Sequence, residues 1–273
     1  MPELPEVETV RRALAALLSE RTLVAVRVGD KPLRWPLATE NLESLVGSPL
    51  VRVARRGKYL LFVFSRQILV GHLGMSGRFF LDAGGDKPVH GHLFLEFSGG
   101  VRVVYVDPRR FGFFVVVPQE GLENHPVLAS LGPEPFATDA VTDSLLASRK
   151  KRRAPVRNVL LDQSVVAGVG NIYANEALFA AGIAPQRPIS SLSKKRIQRL
   201  ALALREVVEQ ALVAGGTTLR DGGFRDLLGN PGYFAVNLAV YGRQGRPCPR
   251  CKTPIRRLLV AGRGAYFCPR CQR

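Results

Sequence analysis

The chain has 273 residues, with 39 Lys or Arg against 22 Asp or Glu and a formal net charge of +17. This length suits two domains with separate cores, and a composition of 46% hydrophobic and 22% charged residues is that of a globular protein. No apolar stretch is long enough to span a bilayer, and the acidic start is unlike a secretory signal. We therefore expect a cytoplasmic protein with no membrane partner.

The positive charge is unevenly distributed along the chain. Residues 1–135 carry 16 basic and 14 acidic side chains, whereas residues 136–273 carry 23 and 8. Because charge of one sign repels itself, a half this basic indicates a polyanionic partner, with nucleic acid first and an anionic membrane surface second. A basic surface that only keeps the protein in solution is the alternative.

The first half of the chain predicts one helix followed by strands. From residue 23 to 117, short runs rich in β-branched and aromatic residues alternate with Gly-rich turns at 84–85 and 99–100. Such strands are typical of a β-sandwich or barrel. Before them, apolar residues recur at the three- and four-residue steps of an amphipathic helix over residues 3–20: Val7, Val10, Leu14, Leu17 and Leu18.

The second half predicts helices. Residues 131–135 combine Gly and Pro and mark the change from strands to helices. Periodic apolar residues predict helices at 139–149, 156–163, 173–181 and 193–214, the last of them stopped by Gly215 and Gly216. We expect an α+β multidomain protein with an N-terminal β-sandwich domain at 1–132, a linker at 133–138, a helical domain at 139–237 and a C-terminal hairpin at 238–273.

All four cysteines lie in the last 26 residues, in the pattern C-x2-C-x16-C-x2-C: Cys248, Cys251, Cys268 and Cys271. This is the spacing of a site in which four thiolates bind one zinc ion, and the residues between the pairs can form a hairpin. Two disulfides are the alternative, which a reducing cytoplasm disfavours. Four protein ligands leave no open position, so we expect one structural Zn²⁺ per chain.

Two loops carry residue types that suit nucleic-acid binding. In residues 107–112, paired arginines next to Phe111 suit an aromatic wedge between base pairs, but taken alone this loop is more typical of a plain turn with a core Phe and surface arginines. Residues 168–173, Gly-Val-Gly-Asn-Ile-Tyr, predict a tight turn whose following helix N-terminus can hold a phosphate. Taken alone, Met75 is more typical of packing.

Eight motifs occur in order and identify a family. The chain resembles the bacterial formamidopyrimidine-DNA glycosylases, also called 8-oxoguanine-DNA glycosylases, over essentially its full length. The resemblance implies a helix-two-turn-helix fold for the helical domain, and a nucleoid-associated monomer that removes oxidised purines from double-stranded DNA, preferably opposite cytosine. The motifs are PELPEVET at 2–9, RRGKY at 55–59, HLGMSG at 72–77, DPRRFG at 107–112, GVGNIYANE at 168–176, PGYF at 231–234, VYGR at 240–243 and the four-cysteine hairpin.

The resemblance implies that Pro2 is the nucleophile once Met1 has been removed. Its secondary amine would attack the deoxyribose C1′, expel the damaged base and remain linked to the sugar as an iminium ion, from which the phosphates are eliminated. Glu3 corresponds to the acid/base residue beside this amine. Glu6 would hold the N-terminal turn, which is compatible with a carboxylate favouring a helix start. A chain that keeps Met1 has a tertiary amide at Pro2 and would bind DNA without cutting it.

Other matched residues would bind the DNA. Lys58, Asn171 and Arg263 correspond to residues that hold the phosphate next to the lesion, Lys58 and Arg263 as part of the catalytic group. Residues 217–233 correspond to a mobile loop over the everted purine. Met75, Arg109 and Phe111 correspond to the intercalating set, in which Arg109 faces the orphaned cytosine. Three further residues lie near positions of DNA contact in relatives: His90, Arg110 and Arg152.

One position departs from the family. Many relatives have Lys where this chain has Arg157, and the two side chains have different hydrogen-bond geometry. A role for Arg157 in contacting DNA or the lesion is therefore an open expectation.

Two other functions remain open. An endonuclease VIII-like enzyme acting on oxidised pyrimidines has the same fold, although Leu4 and the complete intercalating set favour the purine branch. A non-catalytic zinc-ribbon DNA-binding protein would explain the charge and the cysteines, but it would leave Pro2 and Glu3 without a role.

Overall fold

The structure is a computed structural model that describes residues 2–82, 84, 88–219 and 224–273. The chain divides into two compact units. Unit 1 consists of Met1–Ala129 and Ala214–Tyr233, and unit 2 consists of Ser130–Val213 and Phe234–Arg273. Within the described part of the chain, no helix has the length and apolarity needed to cross a membrane. The predicted turn at 84–85 lies partly outside the described residues.

Unit 1 contains two four-stranded antiparallel sheets and a leading helix. One sheet has the strand order β1-β6-β7-β5 and the other has β2-β3-β4-β8. Both are rich in Val, Phe and Leu, which suit a pleated surface with a buried face. The elements are α1 (Leu4–Leu18), β1 (Leu23–Val28), α2 (Thr39–Glu43), β2 (Leu50–Arg56), β3 (Tyr59–Phe64), β4 (Gln67–His72), β5 (Arg78–Leu81), β6 (Gly91–Phe97), β7 (Val101–Val106), β8 (Phe113–Pro118) and α3 (Pro126–Ala129).

The core of unit 1 lies between these sheets. Phe62 of β3 and Phe79 of β5 are both buried, with ring centroids 5.8 Å apart. The apolar face of α1 joins the same cluster through Val7, Val10, Leu14 and Leu18. The predicted β-sandwich with a leading helix is confirmed, because alternating strand residues and the helical apolar stripe bury one shared core.

Unit 2 contains the helices and the hairpin. The longest helix, α7, buries a stripe that includes Ile197, Leu200 and Leu204, as its periodicity predicts. The hairpin strands pair in antiparallel register, with Arg263 opposite Val260. The elements are α4 (Thr138–Lys151), α5 (Val156–Leu161), α6 (Asn171–Ala180), α7 (Lys194–Val213), β9 (Arg256–Val260) and β10 (Arg263–Phe267).

One segment packs differently from the predicted domain ranges. Residues 214–219 and 224–233 fall in the range predicted as the helical domain, but they belong to unit 1, where Phe224 and Leu227 join the core. Thr217 also pairs with Tyr233 in an isolated bridge. The cause is long-range burial that local periodicity does not reveal. Residues 220–223 of the predicted covering loop lie outside the described residues, and the domain ranges remain a prediction.

Candidate functional site

The N-terminal residues are buried at the start of α1. Glu3 is the N-cap of this helix, and the backbone N–H of Glu3 donates to Glu6 Oε2 at 2.8 Å. Together they form a capping box, which satisfies N–H groups that a helix start leaves without partners. Pro2 is buried as well, and Glu3 and Glu6 are only 2% and 1% exposed. The predicted nucleophile and acid/base residue therefore both lie at a buried helix start whose backbone is fixed by the capping box.

The second oxygen of Glu6 binds a distant segment of unit 1. Glu6 Oε1 accepts the backbone N–H of Thr217 at 2.7 Å. Gly216 approaches so closely that a Cβ there would lie 2.9 Å from this oxygen, and its φ of +86° also favours glycine. One carboxylate thus ties the start of α1 to the first part of the segment that was predicted to cover the purine.

Lys58 lies in the turn between β2 and β3 and is 7% exposed. Burial of the imidazole, reinforced by the charge of Lys58, lowers the pKa of His72 to about 4. His72 Nδ1 is 3.1 Å from the backbone N–H of Gly74, which assigns it as the acceptor and Nε2 as the donor of a neutral ring. Sequence reasoning missed His72, although it begins the HLGMSG motif.

The loop at 107–112 is organised by the buried carboxylate of Asp107. It accepts hydrogen bonds from Ser76 Oγ at 2.5 Å and from the backbone N–H of Gly112 at 2.8 Å. Gly74 approaches this loop so closely that a Cβ there would lie 2.5 Å from the Gly112 nitrogen. These contacts join the loop at 72–77 to the loop at 107–112, so unit 1 brings the predicted intercalating residues to neighbouring loops.

The predicted DNA-contacting side chains of the loops at 72–77 and 107–112 lie at the protein surface. Met75 is 40% exposed, and the Arg109 guanidinium lies 5.1 Å from the centroid of the Phe111 ring. His90 and Arg110 are also exposed, and both have positive φ, at 66° and 58°. The carbonyl of His90 accepts the N–H of Asp107 at 3.1 Å, which holds His90 beside the same loop.

In unit 2, Asn171 and the hairpin turn are bonded to each other. Asn171 is the first residue of α6, and its Nδ2 donates to the carbonyl of Gly264 at 3.2 Å. Arg263, exposed at the start of β10, directly precedes that glycine. Arg152 is exposed near the end of α4, where its guanidinium forms an ion pair with Asp162 at 2.5 Å.

Arg157 requires a correction. Its side chain is 0% exposed, and each of its three guanidinium nitrogens donates to an oxygen of the protein. Burial lowers the pKa of this guanidinium, and the nearby charge of Arg263 lowers it further. A direct contact with DNA does not fit this position, because the side chain points into the protein. The sequence could not reveal this, since arginine is rarely fully buried.

Two further polar residues of α6 were missed. Glu176 is buried and accepts the backbone N–H groups of Ala239, Val240 and Tyr241 at 2.8, 3.0 and 2.8 Å. Burial raises the pKa of Glu176, against the opposing effect of these hydrogen bonds. Asn175 Oδ1 accepts the N–H of Tyr266 in β10 at 2.7 Å. Both bind α6 to the C-terminal segment, and their only signal was their position in the GVGNIYANE motif.

The four cysteines fit a tetrahedral metal ion. Their sulfur atoms all lie within 4.8 Å of one another, with Cys248 and Cys271 at 3.9 Å and Cys251 and Cys268 at 3.4 Å. Zn–S bonds of about 2.3 Å place the sulfurs of a tetrahedral site about 3.8 Å apart. All four are free thiols rather than disulfides, so these residues can hold one zinc ion.

Family models match three parts of the chain. Residues 1–114 match the formamidopyrimidine-DNA glycosylase N-terminal domain, and residues 131–222 match the H2TH domain of the same proteins. Residues 245–273 match a zinc finger found in FPG and IleRS, which together with the sulfur cluster confirms the predicted zinc site.

Whole-chain comparisons agree with these models. Formamidopyrimidine-DNA glycosylases of Cereibacter sphaeroides and Methylococcus capsulatus are 46% and 47% identical, each alignment covering 100% of both chains. The crystal structure of the MutM (FPG) protein from Thermus thermophilus matches with a TM-score of 0.88 and 43% identity, covering 99% of this chain and 98% of that one. A Lactococcus lactis FPG mutant in complex with Fapy-dG-containing DNA matches at 0.89 and 32%, covering 100% of both. The chain therefore belongs to the formamidopyrimidine-DNA glycosylase family.

Proposed function

We propose that this glycosylase excises oxidised purines from duplex DNA and then cleaves the strand through a Schiff base on Pro2. The observation that carries the proposal is the buried start of α1, where the capping box holds Glu3 beside Pro2. The solved complex of a Lactococcus lactis relative with Fapy-dG-containing DNA supports the substrate class. A second complex of that relative, with DNA containing an abasic site, is in keeping with a lyase step.

The chemistry follows from a free amine at Pro2. An α-amine has a pKa of about 8, so a useful fraction is neutral and nucleophilic at cellular pH. Attack on C1′ forms the N–C bond as the bond from C1′ to the base breaks, and the base leaves with that electron pair and takes up a proton. Glu3 then donates a proton to the sugar ring oxygen, so that the C1′–O4′ bond opens and C1′ becomes doubly bonded to the Pro2 nitrogen. The resulting iminium ion withdraws electrons, so the C2′ proton is lost and the 3′ phosphate leaves, followed by the 5′ phosphate. Glu6 keeps the helix start in place throughout.

The remaining predicted residues have supporting roles in this proposal. Lys58, Asn171 and Arg263 hold the phosphate beside the lesion by charge and hydrogen bonding. Met75 and Phe111 fill the space left by the everted nucleotide, and Arg109 donates to the orphaned cytosine, which would produce a preference for cytosine opposite the lesion. His90, Arg110 and Arg152 would contact the backbone, and the enzyme would act as a monomer.

Borohydride trapping tests the proposal. The mature protein, with its N-terminus verified by mass spectrometry, is mixed with duplexes that contain 8-oxoguanine, a formamidopyrimidine or an oxidised pyrimidine opposite cytosine or adenine. We expect a covalent complex with the purine lesions, and peptide mapping should locate the reduced adduct at Pro2. The Pro2→Gly variant should cut poorly and retain DNA affinity.

Each alternative outcome identifies a different function. An adduct on a lysine would overturn the role of Pro2. Preferential trapping of the pyrimidine lesion would favour the endonuclease VIII-like function. Tight binding without any adduct or base release, by protein that lacks Met1, would favour a non-catalytic zinc-ribbon protein.

A further inference from the structure

We propose that Arg157 is a positioning residue that fixes Asn171 and the hairpin turn at 260–264 relative to each other. The proposal rests on the proposed roles of Asn171 and Arg263 in holding a phosphate. It assigns to Arg157 no contact with DNA and no proton transfer. Its function is to determine how accurately two separate elements of unit 2 present their donors.

The guanidinium bonds both elements at once. Nη2 donates to Asn171 Oδ1 at 2.6 Å, and Nε donates to the same oxygen at 3.2 Å. On the hairpin side, Nη1 donates to the carbonyl of Val260 at 3.2 Å, and Nη2 reaches the carbonyl of Gly264 at 3.5 Å. Val260 and Gly264 flank the turn that contains Arg263, so one planar group spans the start of α6 and both ends of the turn.

This arrangement also fixes the orientation of the Asn171 amide. With Oδ1 facing two guanidinium N–H groups, a flipped amide would place donor against donor. Nδ2 consequently faces the hairpin, where it donates one hydrogen to the Gly264 carbonyl at 3.2 Å. An amide nitrogen carries a second hydrogen, which in this orientation can serve a phosphate oxygen. Asn175 Nδ2 supports the same orientation by donating to Asn171 Oδ1 at 3.0 Å.

The turn itself needs such a constraint. Ala261 and Gly262 have φ values of +47° and +73°, a conformation that is unfavourable for an alanine. Arg157 donates to the carbonyl of Val260, which directly precedes Ala261, and to the carbonyl of Gly264, which directly follows Arg263. Among the described hydrogen bonds of Arg157, the one from Nη1 reaches Val260. Loss of the guanidinium therefore removes this link between α5 and the end of β9.

Lysine is not equivalent at this position. A lysine ammonium has one nitrogen and three donors around a point, whereas the guanidinium offers a planar set that spans several acceptors. Arg157 is absent from the ion pairs formed among the described residues, and its partners are amide and carbonyl oxygens. Substitution by Lys therefore keeps the charge and removes the bridge, which separates positioning from electrostatic attraction.

The test compares Arg157→Lys and Arg157→Gln with the wild-type enzyme on duplex containing 8-oxoguanine. We expect Arg157→Lys to raise KM about tenfold, the effect of one charge-assisted hydrogen bond held out of place. We expect kcat for base release to remain within about twofold, because the residues of unit 1 are unchanged. The products should shift from double toward single phosphate elimination, since Arg263 is less well placed. Arg205→Lys, an exposed arginine paired with Glu209 in α7, is the matched control.

A double-mutant cycle with Asn171→Ala adds a direct measure of coupling. If Arg157 acts through Asn171, the KM effects of Arg157→Lys and Asn171→Ala should be strongly non-additive. Zinc content and thermal midpoint are measured for every variant. A normal KM and normal products in Arg157→Lys, or strictly additive effects, would overturn the proposal. So would a parallel loss of kcat, zinc and thermal midpoint, which would indicate a structural role alone. Failure of the wild-type enzyme to form an adduct would instead overturn the proposed function.

Discussion

Units 1 and 2 hold their candidate functional residues by different means. In unit 1 the core between two sheets supports the loops, and single buried carboxylates such as Glu6 and Asp107 fix the local backbone. In unit 2 the corresponding residues are joined by buried polar side chains of α5 and α6 and by a cluster of four cysteines. Apolar packing tolerates small shifts, whereas a polar bridge fails when one partner is lost. Loss of one partner of the polar bridge or of one cysteine should therefore disturb unit 2, and loss of the Glu6 or Asp107 carboxylate should likewise disturb the loops that it fixes in unit 1.

Loss of the zinc ion is expected to produce the largest difference in stability between unit 2 and unit 1. Substitution Cys268→Ser, or exhaustive chelation, should remove the zinc and unfold the hairpin, because binding of structural zinc contributes on the order of 10 kcal/mol to such modules. Amide hydrogen exchange should rise across 245–273 and stay slow in β3 and β4. Strand cleavage should fall by at least about 100-fold. Retention of slow exchange in the hairpin after verified zinc loss would contradict the dependence of unit 2 on the cysteine cluster.

A smaller effect is expected from the core of unit 1. Phe62→Ala removes a fully buried ring that contacts Phe79, and such truncations cost about 3–5 kcal/mol. Denaturant unfolding followed by hydrogen exchange should locate this loss in the sheets, with zinc affinity unchanged. The exposed Val24 of β1, 46% accessible, provides the control Val24→Ala. Equal losses of stability in both variants would mean that the core between the sheets is not the main support of unit 1.

The lowered pKa of His72 should make the free energy of unfolding depend on pH. Burial, together with the charge of Lys58, lowers the pKa of His72 in the folded protein from its ordinary value of 6.5 to about 4. Above pH 6.5 both states are neutral and the stability is complete. As the pH falls from 6.5 to 4, the unfolded chain takes up a proton that the folded chain does not. The free energy of unfolding should therefore fall, by up to about 3 kcal/mol.

The variant His72→Asn keeps an acceptor for Gly74 and removes this titration. Its loss of stability between pH 6.5 and 4 should be smaller than that of the wild type, as measured by urea unfolding at a series of pH values. His125→Asn is the control, since that histidine is only partly buried near α3. An unchanged pH profile in His72→Asn would show that acid sensitivity arises elsewhere.

The extent of sequence-based prediction differs between local and long-range features of the molecule. Apolar spacing predicted α7 at 193–214 against an observed Lys194–Val213, and cysteine spacing identified all four zinc ligands. Both signals are local and periodic. The burial of Arg157 and the place of Thr217 in unit 1 depend on contacts across 100 or more residues, namely Arg157 with Val260 and Glu6 with Thr217. No local pattern encodes those contacts, so the polar bridges became visible only in the structure.

The smallest predicted effect concerns the wedge loop of unit 1. The Phe111 ring lies near two guanidinium groups, with Arg34 at 5.5 Å and Arg109 at 5.1 Å from its centroid. The backbone N–H of Arg34 also donates to the carbonyl of Arg110 at 3.0 Å. Arg34→Met keeps the backbone bond and removes a cation–π contact that is worth about 0.5–1 kcal/mol at an exposed site. We expect DNA affinity to fall about threefold with little change in kcat.

Trp35, which directly follows Arg34, allows the loss of DNA affinity in Arg34→Met to be measured by fluorescence. Trp35 is the only tryptophan of the chain and is 67% exposed, so its fluorescence should report DNA binding at this loop. Titration of lesion-containing duplex into the wild type and Arg34→Met should give parallel curves displaced by the loss of affinity. Arg34→Lys should recover part of it, because an ammonium retains the attraction to the ring. Equal affinity in all three proteins would mean that Phe111 is held by the Asp107-centred loop alone, without help from the apposed arginine.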